Sequence, residues 1–466
     1  MNFIVSEFVN LIKGCSNGLA LEKEIWQRGI QLQCQAFAQA LEAYDAELAR
    51  QYAGKQEILR LDRRTMLCLF GIVTFSRRLV RREGEKPFYP LDRVLGLAPY
   101  QRYSSLLLYS VTKVVAGSVY RAAAEAVNTL TPLDISHQTV GRMVRTVGEK
   151  YAQYEETMAN PSFSSDEPLE KPKYLFIEGD GVVMKGQPKN KVEMHRFQVA
   201  SGVKQIGKRR ILTGLRVIAG FDRKHVLELL DAYLENHNNL TQCTVLSNSD
   251  GGRGYTKDVF DKLAAGSRRH EHFRDRYHVN EKIRQRLGWV RKRGMVDRLH
   301  LHREVWKHDW EGVHCCQDML EGEASNAEEE ENVRKLQAYL ERNWECLTPL
   351  AMREGLEDCQ KGLGTCESNH RTYTYRMKKQ GRRWSCRGGL AMIKVLRGLK
   401  NGDLEQALAT DLRGIPMESR KKYRNAVREA LKKPVFVPHV GTHQCSIANY
   451  GPSSSPMGYL ASALNW

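Results

Sequence analysis

The sequence predicts a multidomain α/β protein, and three observations carry that reading. The chain has 466 residues, which leaves room for two to four domains. Hydrophobic residues make up 41% of it and charged residues 27%, a composition that buries a core and does not resemble a disordered chain. From about residue 173, apolar segments follow in the order three strands, a helix, then a strand ending in an acid. That is the order of a ribonuclease-H-like fold, in which the first and fourth strands lie side by side and bring two carboxylates together. The predicted organisation is a helical region at 1–60, a β-hairpin and helix-turn-helix-type DNA-binding region at 61–150, and a linker at 151–172. A ribonuclease-H-like catalytic domain follows at 173–400, interrupted by a helical insertion at about 281–360. Basic helices and a tail close the chain at 401–466.

Each element has its reason. Residues 19–53 keep apolar positions at three- and four-residue spacing, the period of an amphipathic helix. "TMLCLFGIVTFSRRLVRR" turns to β-branched and aromatic residues around a glycine, the pattern of a hairpin. Residues 60–102 carry ten Lys/Arg against four acids, so Arg77 and Arg78 are candidate backbone contacts to DNA. An Ala-rich helix through Val127 and a turn precede Ser136, a side chain suited to cap a second helix. There Val140, Met143, Val144 and Val147 share one face, leaving His137, Gln138, Arg142 and Arg145 outward. A recognition helix presents itself to the major groove in this way. "NPSFSSDEPLEKPK" reads as a polar linker.

The chemistry is expected after it. "KYLFIEGDGVVMK" is an apolar strand with Glu178 and Asp180 two residues apart, hence on one face. "EMHRFQVASGVKQI" and "RRILTGLRVIAGF" supply two more strands and "HVLELLDAYLENH" a helix. "QCTVLSNSDGGRGY" is a strand ending in Asp250, where the glycine pair lets the backbone turn sharply. Mg²⁺ is a hard cation that takes oxygen ligands, and two such ions about 3.5–4 Å apart can serve both the attacking and the leaving oxygen of a phosphodiester. Two carboxylates are too few for that, so a third must come from further along the chain.

Charge and cysteines bound the partners. A net charge of +18 makes a polyanion the expected partner, because each neutralised phosphate releases a counterion. Eleven cysteines without a C-x-x-C pair, and a start that makes a poor signal peptide, predict a soluble protein of a reducing cytoplasm rather than a disulfide scaffold. No stretch is long and apolar enough to predict a membrane span.

Four ordered motifs, "YLFIEGDGVVMKG", "SNSDGGRGY", "HFRDRYHVNEKI" and "ESNHRTYTYRMKKQGRRWSCRGG", together with "FGIVTFSRRLVRR" upstream, resemble the ISLre-type insertion-sequence transposases, DDE enzymes of the mutator-like group. The resemblance covers roughly residues 60–440. It implies that Asp180 and Asp250 are the first two catalytic carboxylates and that Glu367, opening a helix after the insertion, is the third. It also implies a D-x-x-H signature on the next strand, matched by Asp275 and His278, with a substrate contact and a structural bond both open for His278. The spacings are 70 residues from Asp180 to Asp250 and 117 from Asp250 to Glu367, and the second requires the insertion. Glu178 rivals Asp180, and Glu354 and Glu357 rival Glu367. Glu367 is preferred because the acid-free run 371–400 behind it holds ten Lys/Arg, among them the DNA-binding candidates Arg376, Lys378 and Lys379.

The expected activity is metal-dependent cutting of DNA at element ends and strand transfer into target DNA, with two Mg²⁺ or Mn²⁺ ions as cofactor. The partners would be double-stranded DNA (terminal inverted repeats and target) and a second copy of the chain or more. The alternatives are a ribonuclease-H-like nuclease without strand transfer and a transposase-derived DNA-binding regulator.

Overall fold

A computed structural model describes residues 2–51, 57–82, 84, 86–160, 168–188, 190–207, 209–290, 296–360, 362–365 and 371–412. Glu367, residues 161–167 of the expected linker, and the basic stretch and tail beyond residue 412 lie outside them.

Helices α1 (Asn2–Gly14) and α2 (Gly18–Gln51) open the chain. Strands β1 (Glu57–Cys68) and β2 (Gly71–Arg81) pair antiparallel across a turn where Gly71 holds φ 142°. The turn needs a glycine, since a Cβ there would also meet the Cys34 sulfur at 2.7 Å. Leu41 and Leu48 of α2 bury themselves against Val73 and Phe75 of the hairpin. The short α3 (Pro90–Val94) puts Asp92 under the hairpin, paired with both Arg64 and Arg77.

Next come α4 (Ser105–Gly117), α5 (Tyr120–Leu130) and α6 (His137–Met158). Ser136 caps α6 by accepting the Thr139 amide at 3.2 Å, a contribution of about 1 kcal/mol. The helix does not stop at residue 150, where a linker was expected. It runs to Met158 because Tyr151, Tyr154 and Glu155 continue its buried face.

The central sheet follows: β3 (Tyr174–Lys185), β4 (Lys191–Ala200), β5 (Gly202–Ile206), β6 (Arg209–Thr213), β7 (Arg216–Gly220), α7 (Arg223–His237), β8 (Thr244–Ser249), α8 (Lys257–Leu263) and β9 (Arg269–Arg274). Two of the expected strands are each divided in two. The chain breaks at Ser201–Gly202 and again at Gly214, with φ 61°, so that β5 and β6 leave the sheet as a separate antiparallel ribbon. The main sheet has the order β7-β4-β3-β8-β9, with β3 antiparallel to β4 and parallel to β8, and β8 parallel to β9.

Beyond β9 lie α9 (Arg276–Arg286), α10 (Val296–Lys307), α11 (Trp310–Glu323) and α12 (Ala327–Leu347), which build a core of their own around Ile283, Leu301, Val313 and Leu336. Trp289, Trp306 and Trp310 pack against that core. After a π-helical turn at Thr374–Lys379, α13 (Cys386–Asn401) and α14 (Leu404–Ala409) complete the described fold.

Two cores sandwich the sheet. On one face α7 and α8 cover Leu175, Ile177, Phe197 and Val245. On the other, Val182, Met184, Met194 and Val217 join Leu107 of α4, Val144 of α6, Met392 of α13 and Leu404 of α14 in one cluster. The helices expected to form a separate DNA-binding region thus share a core with the sheet. The boundaries placed at 150 and 400 fall inside α6 and α13, where apolar faces continue across them.

Candidate active site

The site grows out of strand register. Gly179 of β3 pairs with Ser249 of β8, and Ser249 pairs with Arg274 of β9. The residue after each of these three is an aspartate: Asp180 inside β3, and Asp250 and Asp275 just beyond β8 and β9. Parallel neighbours in register carry equivalent positions on the same face. Three carboxylates therefore stand side by side, Asp180 within β3 and Asp250 and Asp275 just past the carboxyl ends of β8 and β9, all half-buried. Asp180 is not at a strand end, as its sequence context suggested. Parallel pairing with β8 stops at Gly179, while β3 continues to Lys185 against β4.

The row is an uncomfortable place for negative charge. Burial, then the neighbouring Asp250, pushes the Asp180 carboxyl up to about 6. His278 and the Gly181 amide pull it down, and Asp275 adds to the rise. Backbone amides support two of the acids, from Gly181 to Asp180 at 2.7 Å and from Gly252 to Asp250 at 2.8 Å. Gly251 holds φ 71°, and the Arg274 guanidinium occupies the space a Cβ would need there. Arg274 donates in turn to Asn343 of α12 at 2.6 Å, which ties the Asp250 turn to the helical insertion.

Asp275 does different work from its two neighbours. It caps α9 through the amides of Tyr277 and His278, and its other oxygen accepts from Asn248 at 3.3 Å. The D-x-x-H motif thus sits at a helix start rather than on a strand, which brings His278 round to the acid row.

Glu178 shares the face of Asp180 but is buried in a closed network. Its carboxylate accepts from Gln198 at 2.5 Å, Asn248 at 3.0 Å, the Gly364 amide at 2.6 Å and the Thr365 hydroxyl at 2.7 Å, and also from the Thr365 amide. Glu354 and Glu357 are exposed, and Glu357 accepts the Gly355 amide. Glu367 lies outside the described residues. Among those described, no group of three or more His, Cys, Asp and Glu side chains could hold a metal ion. Only two of the three expected ligands are described at all, and Asp275 is engaged as a cap.

On the opposite face Ser247 bonds both His270 Nε2 at 2.7 Å and His272 Nδ1 at 2.8 Å, while His270 Nδ1 reaches Asp261 at 2.7 Å. The order resembles a nucleophilic triad, but Ser247 is wholly buried, so the bonds join β8, β9 and α8 and present no nucleophile.

The DNA-binding candidates divide. His137, Gln138 and Arg142 are exposed at the start of α6 and Arg145 is half-buried. Lys378 and Lys379 are exposed, but Arg376 is not available at the surface. It is 1% exposed, donates to the Val115 carbonyl at 2.9 Å and lies against Tyr120 and Trp384. Arg77 and Arg78 are held by Asp92 and Asp45, so they brace the hairpin. Sequence reasoning missed Arg274 and Thr365. The first is legible only from the β8–β9 register, and the second only from the return of a distant segment to β3.

A family model described as "Uncharacterised protein family (UPF0236)" matches residues 15–412 of the chain. A relative from Streptococcus gallolyticus, described as the UPF0236 protein in the vanSb 3′ region, is 32% identical over 461 residues, covering 98% of this chain and 99% of the relative.

Proposed function

This chain belongs to the UPF0236 family, and we propose that it is a DNA transposase of the ISLre type, acting by divalent-metal-dependent phosphoryl transfer from a ribonuclease-H-like domain. The observation that carries the reading is the row of Asp180, Asp250 and Asp275, each directly following the last register pair of three adjacent strands. The strand order β7-β4-β3-β8-β9, with the first three antiparallel and the last three parallel, supports the domain assignment.

The residues suit Mg²⁺ or Mn²⁺. The donors are hard oxygens, and a carboxyl pushed up to about 6 by burial and like charge is a group that a cation would relieve. Asp180 and Asp250 would hold the metal together with Glu367. Glu178 grips Gly364 and Thr365, which precede Glu367 in the sequence. When bound, a divalent pair supplies charge neutralisation to the phosphate under attack and to its leaving oxygen. Asp180 and Asp250 do the rest of the described work. Asp180 must lose its proton before the ion binds, and the Gly181 and Gly252 amides hold the two carboxylates in orientation.

DNA would be read by His137, Gln138, Arg142 and Arg145 at the start of α6, with Lys378 and Lys379 contacting backbone. A second copy of the chain would be needed to join two element ends, and a bacterial cytoplasm is the expected location. Among the described residues no helix is long and apolar enough to cross a membrane. The test is nicking of supercoiled plasmid bearing the element's flanking sequences, in Mg²⁺ or Mn²⁺, with strand-transfer products scored on precut ends. The wild type should cut and join, and Asp250→Asn should lose at least about a thousandfold in rate while holding its DNA affinity. Cutting by wild type and variant alike would refute the assignment.

A further inference from the structure

A second charged feature lies beside the acid row, in the helical insertion. A cavity of about 440 Å³ runs between α9 and α12, lined by Lys282, Arg286, Lys335, Tyr339, Arg342 and the carboxylate of Glu341 among others. Lys282 and Arg286 are one turn apart on α9. Lys335, Tyr339 and Arg342 fall at i, i+4 and i+7 on α12, so the two helices face each other with like charge. Lys335 pairs with Glu331, but Lys282, Arg286 and Arg342 have no carboxylate partner among the described residues. Like charges gathered in a groove cost free energy unless a polyanion neutralises them.

The groove is joined to the acid row. Tyr339, in its wall, feels the charges of Arg274, Asp250 and Asp275. Its carbonyl accepts from Asn343 at 2.7 Å, and Asn343 accepts from Arg274, which covers the Asp250 turn. Because α9 starts at Asp275, Lys282 and Arg286 stand seven and eleven residues along it. At 1.5 Å per residue that places them about 10 and 16 Å from the row.

We infer that the groove between α9 and α12 holds the DNA backbone flanking the cut, about three to five nucleotides from the phosphodiester at the acid row. The count is the 10–16 Å divided by the rise of about 3.4 Å per nucleotide. Leu336, Ala338 and Tyr339 lie between the lysines and arginines of the two helices, and those cations suit phosphates. The inference rests on the reading of the acid row as the DNA-cutting site.

The test compares the wild type with the full chain carrying Lys282→Gln, Arg286→Gln, Lys335→Gln and Arg342→Gln. All four positions are exposed or half-buried, so the variant should match the wild type in circular dichroism and melting temperature. The probe is a fluorescent 30-base-pair DNA duplex titrated at several salt concentrations, with plasmid nicking in Mn²⁺ run in parallel. The slope of log affinity against log salt should fall by about two to four, at about 0.9 for each phosphate no longer neutralised. Neutral methylphosphonate linkages three to five nucleotides from the mapped nick should weaken the wild type and leave the variant unaffected. If the wild type nicks but the slope changes by less than one, the groove is not the path, while the reading of the acid row stands. If the wild type does not nick in Mn²⁺, that reading fails and the flank assignment with it. Tighter binding of an RNA duplex of equal length through the same four cations would also overturn the inference.

Discussion

Glu178 and Asp180 lie two residues apart on β3 and face the same side of the sheet, yet their surroundings are opposite. Glu178 is 1% exposed and accepts hydrogen bonds from Gln198, Asn248, Gly364 and Thr365. Asp180 stands in a row with Asp250 and Asp275, and burial and their charges raise its proton affinity. A buried carboxylate saturated with donors is a structural clamp, because its desolvation is compensated by bonds within the fold. One crowded by like charge is held in an unfavourable state that a cation would relieve, which is the condition of a functional site. Sequence spacing alone cannot separate the two residues, since both satisfy the same period of two.

The sharpest way to break this comparison is unfolding stability, where the two positions should respond with opposite sign. Glu178→Gln puts an amide among donors and should destabilise by about 2–3 kcal/mol in urea unfolding. It should also slow cutting, because the segment leading to Glu367 loses its anchor. Asp180→Asn removes a strained charge and should stabilise the metal-free protein by about 1–2 kcal/mol near neutral pH, within the roughly 1.4 kcal/mol per pH unit that a raised carboxyl implies. Glu354→Gln and Glu357→Gln, on an exposed segment, should leave both stability and cutting near wild type. Equal effects at 178 and 180 would dissolve the distinction.

The pH dependence sharpens it. The folded pKa of Asp180 lies above its ordinary value, so protonated Asp180 favours the fold. That contribution is full below about pH 4 and is lost as pH rises through about 6. Divalent-metal affinity should move the opposite way, rising through the same window as the carboxyl gives up its proton. Calorimetric Mn²⁺ titrations between pH 5 and 7.5 would measure this, and a flat profile would count against Asp180 as a ligand.

The smallest effect concerns two arginine pairs that look alike in sequence. Arg142→Ala with Arg145→Ala should lower the salt slope of DNA binding by about one for each phosphate they neutralise, with little change in melting temperature. Arg77→Ala with Arg78→Ala should do the reverse. Those side chains hold the buried Asp92 and Asp45, and removing them takes the guanidinium from Asp45 and leaves Asp92 with Arg64 alone, which destabilises the hairpin.

Much of this is legible in the amino-acid order alone. The Ser136 cap, the turn at Gly71 and the closeness of Asp180 to Asp250 follow from local pattern and strand order. What is not legible depends on distant segments meeting. The burial of Arg376 comes from Val115, Tyr120 and Trp384 closing round it, although its neighbours Lys378 and Lys379 read the same in sequence and remain exposed. The division of β4 from β5 at Ser201–Gly202 is hidden in a run whose apolar pattern does not break. The bond from Thr365 to Glu178 spans 187 residues and leaves no trace in spacing. The expected linker begins too early, because Lys394 and Arg397 enclose the Glu155 carboxylate in the core and α6 runs on to Met158, while residues 161–167 lie outside the described ones.

Which of the two carboxylates on β3 serves a metal is tested most directly by Mn²⁺ binding followed by electron paramagnetic resonance. The wild type should bind Mn²⁺, Glu178→Gln should bind it more weakly but measurably, and Asp180→Asn should lose binding while remaining folded. Undiminished Mn²⁺ binding by Asp180→Asn would contradict the assignment of Asp180 to the metal.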